Sequence, residues 1–409
     1  MKILIISQYF YPENFRINDF AFKMVERGHD VSVLTGVPNY PEGNFFTGYK
    51  SFTKEYINGV EVYRVPILAR GNSRGYELAI NYASYLLSSI IFGPFLLRKF
   101  RPDVIFSINY SPATVGLVGI FFSKIKKASM YLWVQDLWPD SLIATGAVRS
   151  NFIINIIGLM VKWIYKKSDL IFVQSKSFGK SISSINPSFQ KKISYLPNWA
   201  EDSYDLDSNL PQNRFQKLLP KDKFIIMFAG NLGVAQSLDT ILLAASRLKK
   251  TKIHWVFLGD GRQKEWLKRS LVDYGLQDNI SILGRYPMTD MPKFFNLADI
   301  LLVTLKKDLS YSMTIPGKIQ SYLKAGKPIL SSLDGEGAEV IQESISGLNV
   351  ESEDFIGLAN AALKMSELSK ESLTQMGING KKYYDKYFDV NSILSTFENA
   401  YKKQCGKDF

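Results

Sequence analysis

Phe224-Ile225-Ile226-Met227-Phe228-Ala229-Gly230-Asn231-Leu232-Gly233 is the stretch on which the fold turns. Six apolar residues end abruptly at a glycine-bearing loop, the pattern of a short strand buried on both faces. A helix over Leu238–Leu248 follows, then strand His254–Leu258 with Gly259-Asp260-Gly261, a helix, strand Ile280–Leu283 with Gly284-Arg285, a short helix, and strands Asp299–Val303 and Pro328–Ser332. Strand and helix alternating in this way predict a parallel sheet with right-handed crossovers.

The same alternation runs upstream. Lys2–Ser7 is an apolar, β-rich run. Residues 16–28 carry Ile17, Phe20, Met24 and Val25 at helical spacing and stop at Gly28. Strands are expected at Val31–Leu34, at Glu61–Pro66 behind the Asn58-Gly59 turn, and at Val104–Ile108, Met130–Val134 and Leu170–Val173. Between the two series, 196–220 is polar and proline-bearing and reads as a connection. The predicted organisation is α/β: a first domain over 1–195, a linker over 196–220, a second domain over 221–385, and a last helical segment over 386–409. No repeat between the halves is visible in the sequence.

A length of 409 residues suits two or three domains, and 46% hydrophobic with 22% charged residues is a globular composition. One cysteine, Cys405, excludes a disulfide scaffold. His29 and His254, the two histidines, leave no room for a His-based zinc site and read as structural. The opening MKILIISQYFYPENF reads as a buried first strand rather than a signal peptide.

The net charge of +12 is uneven. Residues 1–195 hold 23 Lys and Arg against 12 Asp and Glu, while 196–409 hold 27 against 26. The excess lies in the first domain, in Arg98-Lys99-Arg101, Lys124-Lys126-Lys127, Lys162-Lys166-Lys167 and Lys191-Lys192. That domain also carries Leu78–Leu97, twenty positions without a charge, and an amphipathic run over Asn151–Tyr165. Leu78–Leu97 reads as a half-buried helix lying on a membrane, a fully buried crossover helix, or a span. An apolar anchor beside basic clusters suits an anionic leaflet, hence a cytoplasmic protein bound peripherally to the inner face of the plasma membrane. No interleaved basic-aromatic stripe or recognised module points to nucleic acid.

Ligands of parallel sheets sit at the carboxyl ends of strands. The loop after the first strand, Gln8 to Arg16, has no glycine, which argues against a dinucleotide cofactor there. After Met130–Val134 comes Gln135-Asp136-Leu137-Trp138-Pro139-Asp140, where Asp136 serves either site chemistry or a helix cap. Gly230, Gly233, Gly259 and Gly261 at successive strand ends permit phosphates to approach backbone N–H groups. In Tyr311–Tyr322, Pro316-Gly317 opens a helix with Lys318 in its first turn. That is unfavourable for a cation unless an anion docks at the same end; the alternative is a solvated lysine. Asp334-Gly335-Glu336-Gly337-Ala338-Glu339 opens another helix. Asp205-Leu206-Asp207 matches the metal-binding D-x-D pattern, yet in a linker reads as a solvated acidic patch.

Over nearly its whole length the chain resembles the retaining glycosyltransferases of GT-B fold, in their large fourth family. The resemblance rests on Lys2–Ser7, Tyr11-Pro12-Glu13-Asn14, Asp136-Leu137-Trp138-Pro139-Asp140, Leu196-Pro197-Asn198, Gly230-Asn231-Leu232-Gly233 and Ala325-Gly326-Lys327-Pro328. The subgroup it looks most like is the bacterial L-fucosamine (N-acetyl-L-fucosaminyl) transferases of surface polysaccharide synthesis. It implies two Rossmann-like domains facing across a cleft, the second for the UDP-sugar and the first for a lipid-linked polyprenyl diphosphate glycan. It also implies that the last helix crosses back to the first domain. With the strand-end glycines, Lys318 and the Asp334–Glu339 loop read above, donor contacts are expected at Gly230, Asn231, Gly259, Arg285, Lys318, Gly335, Glu336, Gly337 and Glu339. Asn14, Arg16 and Asp19 fall on the acceptor side, and Asp136 and Lys318 are the expected catalytic pair. No cofactor and no metal are expected. The family's paired glutamates are replaced by Thr314 and Ser321, its Arg and Lys after the first strand of the second domain by Asn231 and Gln236, and its His by Gln135. A UDP-sugar epimerase of the same build and a non-enzymatic basic membrane-binding scaffold are the competing readings.

Overall fold

The computed structural model describes residues 1–72, 74–201, 204 and 214–406. The chain divides into a first unit, Met1–Pro197 together with the chain from Ile393 onward, and a second unit, Asn198–Ser392.

In the first unit the strands are β1 (Lys2–Ile6), β2 (Asp30–Gly36), β3 (Lys54–Ile57), β4 (Val60–Val65), β5 (Val104–Asn109), β6 (Ser129–Val134), β7 (Leu170–Val173) and β8 (Ile193–Tyr195). Among the described residues they form one sheet in the order β3-β4-β2-β1-β5-β6-β7-β8. The order reverses beside β1, where Ile5 is in register with Val33 on one side and Phe106 on the other. The expectation of a wholly parallel sheet is corrected at one edge: β3 runs antiparallel to β4. Asn58 (φ 48°) and Gly59 (φ 80°) make the two-residue turn whose twist suits such a hairpin.

In the second unit β9 (Phe224–Ala229), β10 (Ile253–Leu258), β11 (Ile280–Gly284), β12 (Ile300–Thr304), β13 (Ile329–Ser332) and β14 (Gly347–Val350) form a parallel sheet in the order β11-β10-β9-β12-β13-β14. The run that opened the sequence reading is β9. Ile225 and Met227 belong to the core on one face of the sheet, and Ile226 and Phe228 to the core on the other. Burial on both faces is why the run lacks polar alternation. The order reverses between β9 and β12, so ligand-binding loops are expected at their carboxyl ends.

The boundaries differ from the sequence reading. Of the segment read as a connection, the described residues Ala200, Tyr204 and Phe215 are buried in the core of the second unit. Asp205 and Asp207 lie outside the described residues. At the other end helix Lys370–Tyr387 belongs to the second unit, and helix Val390–Cys405 returns to the first. There Phe397, wholly buried, meets Phe20, Phe106, Tyr131 and Phe172. Glu398 takes Arg27 at 2.7 and 3.0 Å and His29 Nε2 at 2.7 Å. The Arg27 hydrogen bonds hold its carboxyl down at about 2.

Helix Gly75–Leu96 is long and apolar enough to cross a membrane. A fully buried crossover is excluded: Asn81, Tyr85, Ser89 and Gly93 face inward at four-residue spacing, while Tyr76, Ile80, Leu87, Ile91 and Phe95 are exposed. Gln8 Nε2 to Asn81 Oδ1 (2.6 Å) and Tyr85 hydroxyl to Leu34 carbonyl (2.9 Å) fasten the inner face to the sheet. Helix Asn151–Lys167 likewise exposes Phe152, Ile153, Ile156, Leu159 and Trp163.

Candidate active site

At the reversal point of the second sheet, the ends of β9 and β10 are tied together. Gly230 N donates to Leu258 O, Leu232 N to Asp260 O, and Gln263 N to Leu232 O. Gly259 has φ 149°, and a Cβ there would lie 1.8 Å from the Gly230 carbonyl oxygen, so no side chain fits. The bare backbone of this corner is available to a ligand that needs close approach. Asn231 is part of the same corner, its side chain beside Gly233 and Gly261. Arg285, exposed beyond β11, and Asp260 feel each other's charge.

Helix Gly317–Lys324 is fixed against that corner by Tyr322. Its buried hydroxyl accepts from Ala229 N (3.1 Å) and donates to Ala229 O (3.2 Å). The helix N-terminus therefore stands at the end of β9. Lys318, in its first turn, runs over Gly230 and ends 4.1 Å from the Phe228 ring centroid. Its ammonium donates to Gln236 Oε1. The Gln236 backbone is pinned in turn, with Thr304 Oγ1 donating to its carbonyl at 2.5 Å and Lys306 N to the neighbouring Ala235 carbonyl at 3.0 Å. A freely solvated Lys318 is thus corrected. No carboxylate pairs with it among the described residues, and burial brings its pKa down to about 7.

The second helix N-terminus comes to the same place. Gly335 (φ 67°) sits so close to Ser312 that a Cβ would lie 2.1 Å from the Ser312 carbonyl oxygen, and Gly337 lies against Pro316 and Ile319. Helix Glu336–Ser344 therefore starts beside helix Gly317–Lys324, with Glu336 buried and Glu339 exposed. Thr314 and Ser321 donate back to Ser310 O and Gly317 O at 3.1 Å each. Their hydroxyls are spent on their own backbone and clamp nothing. The structure thus gathers Gly230, Asn231, Gly259, Lys318, Gly335, Glu336 and Gly337 at one sheet end, with Arg285 and Glu339 exposed at its rim. Gln236 is the addition that the sequence reading assigned only as a lost cation.

The first unit has its own constellation at strand ends. Asp136 follows β6. Its helix-cap reading is corrected: helix Asp140–Ala144 is capped at Pro139, without a side-chain hydrogen bond. Burial raises its carboxyl to about 6, while nearby Ser141, Trp138 and the Leu137 amide pull the other way. Trp138 Nε1 and Ser141 Oγ are buried and make no hydrogen bond of good geometry among the described residues. Asn109 Nδ2 reaches the Asp136 carbonyl at 3.4 Å. At the end of β1, Asn14 is exposed, and Arg16 and Asp19 face each other at 3.9 Å on the first turn of helix Arg16–Glu26.

Glu13 is the residue that the sequence reading passed over. Its buried carboxylate accepts from Asn39 N and Tyr40 N (2.8 Å each) and Phe10 N (3.3 Å), stapling the loop after β1 to that after β2. Burial pushes it up to about 7. Arg64, fully buried on β4, grips Glu55 at 3.0 and 3.2 Å and donates to the Tyr11 carbonyl at 2.7 Å. A carboxylate inside Tyr-Pro-Glu-Asn directly after a buried strand was the available signal. Among the described residues no group of three or more His, Cys, Asp or Glu is placed to hold a metal.

Two family descriptions match the chain: "Glycosyl transferase 4-like domain" over residues 14–199 and "Glycosyl transferases group 1" over residues 210–383. WcaI of Escherichia coli, named as a colanic acid biosynthesis glycosyl transferase, is 25% identical over 98% of this chain and 99% of its own length. An N-acetylgalactosamine-N,N'-diacetylbacillosaminyl-diphospho-undecaprenol 4-alpha-N-acetylgalactosaminyltransferase of Campylobacter jejuni is 29% identical over 34% of this chain and 36% of its own length. Among solved structures, Anabaena HepE in complex with UDP superposes with a TM-score of 0.71 at 14% identity, covering 98% of this chain and all of HepE. With two Rossmann-like sheets and both family descriptions in chain order, the chain belongs to the group 1 glycosyltransferases of GT-B fold.

Proposed function

We propose that this glycosyltransferase moves a sugar from UDP to a hydroxyl of a polyprenyl-diphosphate-linked glycan, with retention at the anomeric carbon, in the synthesis of O-antigen, capsule or exopolysaccharide. The donor we infer is an N-acetylated deoxy sugar such as L-FucNAc. The observation that carries this reading is Lys318, a half-buried ammonium without a carboxylate, at a paired helix N-terminus beside side-chain-free backbone. Such a site is short of negative charge, and a diphosphate supplies it. The UDP held by HepE and the diphospho-undecaprenol in the Campylobacter relative's name support the choice of donor and acceptor. WcaI's name supports the polysaccharide context.

As the bond from the anomeric carbon to the diphosphate oxygen breaks, charge grows on that oxygen. Lys318 and the amides near Gly230 and Gly335–Ala338 are preorganised to meet it. The acceptor oxygen bonds to the same face of the carbon, and its proton passes to the departing diphosphate. Asp136 orients the acceptor hydroxyl and offers a second proton acceptor. No metal has a role in this scheme, so turnover should persist in excess chelator. The protein works in the cytoplasm, on the inner face of the plasma membrane, held by the exposed apolar residues of helices Gly75–Leu96 and Asn151–Lys167 and by nearby basic clusters.

The experiment is a transfer assay with membrane-extracted acceptor and a panel of UDP-sugars. Lys318→Ala and Asp136→Asn should each lose on the order of a hundredfold or more in turnover. Wild-type turnover in both variants would dismiss the site, and complete loss in chelator would restore a metal.

A further inference from the structure

Lys318 is placed by a glutamine from the loop after β9. The lysine crosses bare backbone to reach it. A Cβ on Gly230 (φ 140°) would lie 2.7 Å from Lys318 Cε, so only glycine leaves the side chain its path. At the end of that path the ammonium meets the Phe228 ring, 4.1 Å from the centroid, and Gln236 Oε1. An ammonium donates three hydrogen bonds and accepts none, so it fixes which end of the Gln236 side-chain amide faces it. Gln236 lies 82 residues away in sequence and is brought there by a locked turn. Its backbone N donates to Gly233 O at 3.0 Å, and its carbonyl accepts from Thr304 Oγ1 at 2.5 Å. The next residue, Ser237, is buried in the left-handed conformation (φ 46°, ψ 53°), its hydroxyl 3.1 Å from Asp239 Oδ1 and 2.8 Å from Thr240 Oγ1. Such a conformation in a serine persists only where the surroundings over-determine it, and it clusters at functional sites.

The neutrality of the partner matters. A cation in the first turn of helix Gly317–Lys324 opposes the helix dipole, and burying it costs free energy that no carboxylate offsets. The charged groups of the surrounding elements are Lys306 after β12, Asp239 behind the turn, Asp260 and Arg285 across the corner, and Glu336 on the neighbouring helix. None of them pairs with Lys318 among the described residues, and burial is the cause of its lowered pKa. An amide oxygen directs the ammonium and softens its desolvation without cancelling its charge. A glutamate of the same length would direct it equally well. It would also satisfy the cation before a diphosphate arrives, and then repel that diphosphate.

We propose that Gln236 is the positioning residue for Lys318: its neutral amide oxygen holds the ammonium over Gly230 and the Phe228 ring, and leaves the whole positive charge to the diphosphate of the donor. Gln236 thus sets donor affinity through another side chain. This assignment rests on the donor diphosphate proposed above.

The test is calorimetric binding of the full-length enzyme to UDP carrying a methyl ester on its terminal phosphate, between pH 5.5 and 8.5, with thermal unfolding midpoints as the folding control. This probe keeps the diphosphate, has no sugar for the enzyme to reject, and its diphosphate does not titrate in that range. Wild-type affinity should fall above about pH 7, where Lys318 loses its proton. Gln236→Met removes the oxygen that the ammonium faces. The fall should then begin roughly one pH unit lower, with affinity at pH 8 reduced about tenfold. Gln236→Glu should delay the fall by at least roughly one pH unit, while repulsion by the carboxylate lowers affinity at pH 6 about tenfold or more. A turn that had merely lost packing would weaken binding without moving the pH dependence in opposite directions. A pH dependence left in place by both folded variants would overturn the assignment to Gln236 alone. A wild type that fails to bind the ester, or binds it equally at every pH, would overturn the diphosphate site as well.

Discussion

Raising the pH should weaken donor binding because Lys318 must be protonated to hold the diphosphate. In the free protein burial sets its pKa at about 7. A bound diphosphate favours the charged form and lifts that pKa towards or above its ordinary value. Binding then takes up a proton, and the apparent dissociation constant grows in inverse proportion to the protonated fraction of the free enzyme. Between pH 7 and 8.5 that is a rise of about sixteenfold, or about 1.6 kcal/mol. A UDP-sugar is the right probe, because its doubly esterified diphosphate does not titrate in this range, whereas the terminal phosphate of UDP does. Calorimetry at pH 8 in two buffers of different ionisation enthalpy should count about 0.9 proton taken up per donor bound. The linkage also fixes a sign for stability. A lysine whose folded pKa lies below its unfolded value weakens the fold as pH falls from about 10.5 to 7, and the cost is complete below that. Lys318→Met should therefore unfold at a higher temperature than wild type at pH 6.5, by on the order of 1–3 kcal/mol, while losing donor affinity. Affinity independent of pH with no proton uptake would refute the reasoning, as would a destabilised Lys318→Met.

Gly259→Ala, whose methyl would meet the Gly230 carbonyl, should cost more than about 2 kcal/mol in thermal denaturation and weaken UDP binding together with it. Glu398→Gln should cost about 2 kcal/mol through its bonds with Arg27 and His29. Because that carboxyl is depressed to about 2, its contribution is present above the ordinary carboxylate range and fades as pH falls towards 2, which acid titration of wild type against variant will show. Leu159→Glu with Phe152→Glu should weaken binding to phosphatidylglycerol vesicles in sedimentation at every salt concentration. Neutralising Lys162, Lys166 and Lys167 should weaken binding by about 1 kcal/mol per residue at low ionic strength only.

Most of the strands were legible because buried parallel strands announce themselves as unbroken apolar runs, as β9, β5 and β6 do. What stayed hidden was short or half-polar. β3 alternates lysine, glutamate and tyrosine at a sheet edge, though Asn58-Gly59 marked its hairpin. β8 and β14 are edge strands of three and four residues. The second unit's site was readable from its glycines and from the misplaced charge of Lys318. Gln236 was not, because its role depends on a turn pinned from β12, 68 residues away from Thr304 in sequence. Glu13 escaped for the same reason: it acts through loops that the sheet, not the sequence, makes neighbours.

The return of helix Val390–Cys405 has a consequence for biosynthesis. A ribosome delivers the first sheet early, yet the slot that Phe397 fills between Phe20, Phe106 and Phe172 stays open until the segment that follows the second unit has emerged. The unit begun first is thus completed last, after all of the second has been made. A nascent chain spends that interval with an aromatic surface uncovered, which suits chaperone capture. Nonsense truncations even a few residues upstream of Phe397 should leave the amino-terminal half aggregation-prone, not merely shortened.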